Sequence, residues 1–160
     1  MTKYLYTDID YVLSLSTEIR KYSTKWGYLQ KFNDKAVKVY NEILLKTGAV
    51  PIISSDWKNH WTLKELQEIF IEWAGISTPP IDVTETIPDV TLQRLEEWRA
   101  KEILQHVEKY KPDVWVVLDD LYLIPHNITE DHFVYCSRVN EGIKQSGKKD
   151  QAINKLNIND

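Results

Sequence analysis

Cysteine is almost absent from this chain of 160 residues, where Cys136 stands alone. A single thiol cannot close an internal disulfide, and no pattern around it suggests a metal knuckle. A reduced, cytoplasmic setting is therefore expected. Long apolar runs are missing too, none approaching the roughly 20 residues that span a bilayer. The N-terminus places Asp8 and Asp10 where a secretion signal needs an apolar stretch, so neither a signal peptide nor a membrane role is expected. Nor is there an excess of positive charge. A formal net charge of −4 gives no global attraction for nucleic acid. Only Arg138, Lys144, Lys148 and Lys149 form a loosely basic tail, which leaves room for a local patch. Repeats, low-complexity tracts and linkers are absent as well. With 42% apolar and 28% charged residues, the chain has the mixture of a single soluble domain spanning 1–160.

What is present alternates between strand and helix patterns. Tyr4 to Tyr6 reads as a short buried strand that runs into Thr7-Asp8. A polar stretch from Ser14 to about residue 32 has no clear period and reads as a loop or small insert over one end of a sheet. Asn33 or Asp34 caps a helix with Val37, Tyr40, Ile43 and Leu44 on one face, closed by Gly48. Val50–Ile53 is a second strand, in which Pro51 suits only a beginning or an edge. Thr62 and Glu65 form a capping box for a helix that ends near Gly75. Ile81 to Ile87 alternates like a strand. A third helix starts at Asp89 or Thr91, with Leu95, Trp98, Ile103, Val107 and Tyr110 as candidate buried positions, and stops at Lys111-Pro112. Val114–Leu118 is the clearest buried strand, and His132–Tyr135 a fifth short one before a polar tail from about 138 to 160. Strands alternating with helices predict an α/β fold, with a mainly parallel five-stranded sheet between helical layers.

In such sheets the functional rim lies beyond the carboxyl ends of the strands. Three of the expected strands end in oxygen-bearing residues: Asp8-Ile-Asp10, Ser54-Ser55 and Asp119-Asp120. Any one aspartate there is ordinarily a turn former or a helix cap. Their joint occurrence on successive strands is harder to assign to turns. Carboxylates gathered on one rim repel unless a cation sits among them, and hard oxygen ligands favour magnesium.

These residues resemble a known family. Tyr4-Leu-Tyr-Thr-Asp8-Ile-Asp10-Tyr-Val-Leu13 resembles the first motif of the haloacid dehalogenase (HAD) superfamily, an apolar strand followed by Asp-x-Asp-x-Val-Leu. Pro51-Ile-Ile-Ser54 resembles the second motif. Arg99 and Lys101 stand in the helix of the basic third motif, and Val116-Val-Leu-Asp119-Asp120 resembles the acidic fourth. The chain further resembles the compact phosphatase-like domains of multifunctional RNA repair proteins. Ser54-Ser-Asp-Trp57-Lys58 is similar to their Ser-Ser-x-Trp-Arg, Arg99-Ala-Lys-Glu102-Ile103 to their Arg-x-x-Glu-Ile, and Leu118-Asp-Asp120 and His132-Phe-Val match as well. Two positions depart from the pattern. Tyr11 replaces the usual glycine after the second aspartate, and Ser137 stands near where relatives often carry an aspartate.

The resemblance implies a HAD-like Rossmannoid sandwich with a minimal cap, the stretch 14–32. It implies catalysis by Asp8 as nucleophile and Asp10 as acid/base, Ser54 as a donor to a phosphoryl oxygen, and Arg99, ranked above Lys101, as the balancing cation. Mg2+ would be held by Asp8, the Asp10 backbone carbonyl and Asp119, with Asp120 not separable from Asp119 as the direct ligand. Ser55, Tyr11 and Lys58 are candidate substrate contacts. The expected activity is that of a phosphohydrolase on a phosphorylated small molecule, a nucleotide or a nucleic-acid 3′-phosphate end. The alternative is a catalytically inactive HAD-like module that binds nucleotide or a partner protein.

Overall fold

Period-two alternation in three short apolar segments builds the centre of the molecule, whose computed structural model describes residues 1–160. In chain order the first elements are β1 (Lys3–Thr7), β2 (Lys21–Thr24), β3 (Gly27–Gln30) and α1 (Asp34–Thr47). Next come β4 (Val50–Ile53), α2 (Leu63–Glu68) and β5 (Asp82–Val83). The chain ends with α3 (Leu95–Tyr110), β6 (Val114–Asp119), β7 (Phe133–Tyr135) and α4 (Lys148–Leu156). A five-stranded parallel sheet runs in the order β5-β4-β1-β6-β7. Leu5, Ile53 and Val116 share one core with α1, α2 and α4, while Tyr6, Ile52 and Val117 share a second with Ala100 and Ile103 of α3. Helices therefore cover both faces, as a parallel sheet requires. No helix is long and apolar enough to cross a membrane.

Local chemistry explains the element ends. The Asn33 side chain accepts from the Ala36 N–H at 3.0 Å, and Gly48 closes α1 in the left-handed region at φ +70°. Pro51 sits in an internal strand without breaking its ladder. Its carbonyl accepts from the Ile81 N–H, so its missing N–H faces the same side, ahead of the two paired residues of β5.

The structure corrects several sequence expectations. The stretch 14–32 is not an irregular loop: β2 and β3 form an antiparallel hairpin, turning at Gly27 with φ +101°. Indole donors fasten it to the domain: Trp26 to Glu68 at 2.9 Å, Trp61 to the Trp26 carbonyl at 2.8 Å and Trp73 to the Gln30 carbonyl at 3.0 Å. Beyond α2 the helix continues as a wider π segment over Ile69–Trp73. Of the 81–87 stretch only Asp82–Val83 is paired as strand. The third helix starts at Leu95, because Asp89 is instead bonded to Thr91 and to Lys101. Its buried face also differs from the expected one. Leu95 and Tyr110 are exposed, whereas Arg99, Ala100, Glu102, Ile103 and His106 point inward.

Candidate active site

The sheet register gathers the site. Thr7 of β1 pairs with Ile53 of β4 on one side and Leu118 of β6 on the other. One residue further on, Asp8, Ser54 and Asp119 are brought level at the carboxyl edge. The Asp8 N–H donates to the Leu118 carbonyl at 3.0 Å and the Ser54 N–H to the Thr7 carbonyl at 3.3 Å. Asp8, Ser54 and Asp119 are all buried, with 4%, 1% and 0% exposure. Carboxylate oxygens of Asp8, Asp119 and Asp120 lie within 4.8 Å of one another.

Arg99 reaches this cluster from α3. Its Nη1 donates to Asp119 Oδ2 at 2.6 Å and stands 3.4 Å from Asp8 Oδ1. Burial and then the Asp119 charge push the Asp8 carboxyl well above the usual carboxylate range, against the pull of Arg99. Burial raises Asp119 as well, with Arg99 opposing. One guanidinium thus leaves the cluster short of positive charge. An all-oxygen donor set of this kind fits Mg2+, whose charge relieves that repulsion.

Asp10 is separate from the three-carboxylate cluster. Its Oδ1 accepts from Trp57 Nε1 at 3.2 Å, and burial raises its pKa while that bond opposes the rise. The Asp10 carboxylate thus stands apart from Asp8, Asp119 and Asp120, and its main-chain carbonyl is the group assigned to a metal by the resemblance. The Ser54 hydroxyl is the one buried side-chain polar atom without a partner. Such an orphan is costly in a folded core.

Three of the residues proposed from sequence are drawn elsewhere. Lys101 Nζ bonds Asp89 at 2.5 Å on a partly exposed face, so Arg99 alone of the pair serves the carboxylates. Lys58 is engaged within the protein: its ammonium donates to Thr84 Oγ1 at 2.7 Å and pairs with Glu102 at 2.9 Å, the Lys58 and Glu102 side chains both below 10% exposure. The Ser55 hydroxyl accepts from the Trp57 N–H at 3.2 Å and caps the short helical turn Asp56–Asn59. Two contributors escaped the sequence reading, Trp57 as partner of Asp10 and Glu102 as partner of Lys58. The signal for the second was present, since Trp57-Lys58 and Arg99-x-x-Glu102 are the two motifs that meet.

Tyr11 stands exposed next to Asp10 with φ +66°, and its N–H donates to the Ser14 carbonyl at 2.6 Å. A non-glycine residue in that region costs roughly 1–2 kcal/mol. Glycine there avoids the steric penalty but orders a freer chain. Tyr11→Gly is thus expected to raise the unfolding free energy by about 0.5–1 kcal/mol, measured by urea denaturation. A lower value would mean that the tyrosine ring makes compensating contacts.

Parallel pairing that carries acidic side chains to the carboxyl edge of an α/β sheet is the arrangement of HAD-type domains. The family model for the HAD domain in Swiss Army Knife RNA repair proteins matches residues 4–146, and the chain belongs to that family. Its fold is accordingly the HAD Rossmannoid, and membership supports a phosphatase-type hydrolase in the broad sense. Neither the curated proteins nor the solved structures gave a match.

Proposed function

We propose that the protein is a magnesium-dependent phosphomonoesterase that works through an aspartyl-phosphate on Asp8 and acts on a nucleotide or a nucleic-acid 3′-phosphate end. The single observation that carries this reading is the convergence of Asp8, Asp119 and Asp120 beside Arg99 and the unpartnered Ser54 hydroxyl. An Asp8 carboxylate oxygen attacks phosphorus while Asp10 delivers a proton to the departing oxygen, releasing an alcohol. Water then attacks the acyl phosphate, with Asp10 taking its proton, and inorganic phosphate leaves Asp8 free. Two easier displacements replace one hard one. Ser54 donates to a non-bridging oxygen, and Arg99 stabilises the charge that builds on the phosphoryl group. Asp8, Asp119, Asp120 and the Asp10 carbonyl would hold Mg2+, which supplies Lewis-acid neutralisation of the phosphate.

Metal binding has a readout apart from activity. At Mg2+ near 100 times its Kd, stability is expected to rise by about 2.7 kcal/mol. For a domain of this size that corresponds to roughly 5–10 °C in Tm. Asp119→Asn should remove most of the increment. An unchanged parent melting curve would contradict the site. For the substrate, kcat/KM is expected to be much higher on 3′-phosphorylated oligonucleotides than on mononucleotides. Equal or reversed preference would overturn the nucleic-acid end and leave the chemistry intact.

A further inference from the structure

We propose that the cleft between the β2–β3 hairpin and the 56–61 turn binds the base of the leaving nucleotide, with Tyr28 and Trp61 as its stacking walls and exposed Lys21 contacting the next phosphate along the strand. This rests on the phosphatase reading, because it takes Asp10 as the group that protonates the leaving oxygen. Asp10 lines a cavity of about 250 Å³ together with Lys21, Tyr28, Trp57, His60 and Trp61, among others. Proton transfer needs hydrogen-bond reach, so the group attached to the oxygen that Asp10 protonates lies beside Asp10, where this cavity offers it room.

The cavity walls specify the chemistry of that group. Trp57 and Trp61 lie 4.8 Å apart between ring centroids, and Trp61 is fixed by its bond to the Trp26 carbonyl, so this wall is rigid. Trp57 is held in turn by Asp10 and by the edge of Phe32 at 5.6 Å. The hairpin supplies Tyr28, a ring 71% exposed to solvent. A large, exposed aromatic next to a fixed indole wall is a stacking platform for a flat ring. Charge narrows the choice further. Asp56, held in its charged form by Asn59 and His60, lines the same cavity as Asp10. The Asp56 carboxylate repels a second anion from the interior, so the leaving group presents a neutral ring there. Lys21 is the lysine of this lining, and it suits a phosphate outside the stacked base. A nucleobase followed by a backbone phosphate meets all of these requirements, whereas a sugar diphosphate does not.

The test measures equilibrium binding in the presence of Mg2+ to Asp8→Asn protein, which leaves the ligand intact. Nucleoside 3′-monophosphates are expected to bind roughly ten-fold or more tightly than ribose 3-phosphate, the scale of one base–aromatic stack. Adding Tyr28→Ala should weaken nucleotide binding several-fold, leaving the Trp61 stack, and leave ribose 3-phosphate unchanged. A 3′-phosphorylated dinucleotide should bind more tightly again, and Lys21→Ala should remove that increment. Equal affinity for the base-bearing and abasic ligands would overturn the proposal. So would a Tyr28→Ala effect of the same size on both, or phenyl phosphate binding as tightly as the nucleotide, which would make the cleft an aryl site. Turnover by the protein with Asp8 intact is scored separately. Base preference without turnover would remove the aspartyl-phosphate reading and keep the cleft.

Discussion

Asp8→Asn is expected to lower kcat/KM on any phosphomonoester the protein hydrolyses by roughly four orders of magnitude or more, the scale of losing a covalent nucleophile. Asparagine keeps the shape of the side chain, so the substitution isolates chemistry from packing. It also removes one charge from a set of three carboxylates, two of them buried, that lie within 4.8 Å of one another. The variant should therefore melt no lower than the parent in the absence of Mg2+, since relieved repulsion offsets the lost 3.4 Å contact with Arg99. Loss of activity with retained stability is the expected pair of results. Activity within ten-fold of the parent would mean another nucleophile, and a steep fall in Tm would make Asp8 a packing residue.

The second large effect concerns stability. Lys58→Met is expected to lower the unfolding free energy by about 3–5 kcal/mol, because it strands Glu102 as a buried charge. Burial lowers the Lys58 pKa and the Glu102 contact opposes it, so the pair survives on mutual compensation. Glu102 also accepts from the Ile87 N–H at 3.2 Å. With the Thr84 bond from Lys58, this pair ties the 84–87 segment and the turn after β4 to α3. The double variant Lys58→Met, Glu102→Gln should recover much of the loss, since the glutamine oxygen keeps an acceptor for Ile87 without a charge. Denaturant titration of the parent, both single variants and the double variant gives the coupling. A loss below about 1 kcal/mol for Lys58→Met would show that Glu102 rehydrates and that the pair is not holding this region.

The centre of the sheet was legible because its strands are apolar runs that stop abruptly at Asp8, Ser54 and Asp119. Parallel pairing then carried these residues to one edge with no further information required. The helix of Arg99 was harder to read. Its inward face carries Arg99, Glu102 and His106, so a search for apolar periodicity chose Leu95 and Tyr110, which lie exposed. His106 shows why such residues are tolerated inside: its ring nitrogens meet Tyr6 at 2.7 Å and Asp82 at 2.9 Å. Buried polar groups with complete partners look like surface residues in a sequence. The hairpin was hidden for a related reason. Residues 21–24 alternate only between exposed and half-buried, and the bonds that hold the hairpin come from Trp61, Glu68 and Trp73, far along the chain. Lys58 and Lys101 were read as available cations because only the fold reveals Glu102 and Asp89 beside them.

The most direct measurement is acid-quench trapping with a 32P-labelled phosphomonoester and Mg2+, followed by peptide mapping of the labelled protein. A hydroxylamine-labile label on the peptide containing Asp8, absent from Asp8→Asn, is the result expected if that carboxylate is the phosphoryl acceptor. Turnover with no label at any quench time, or a label on a different residue, would contradict it.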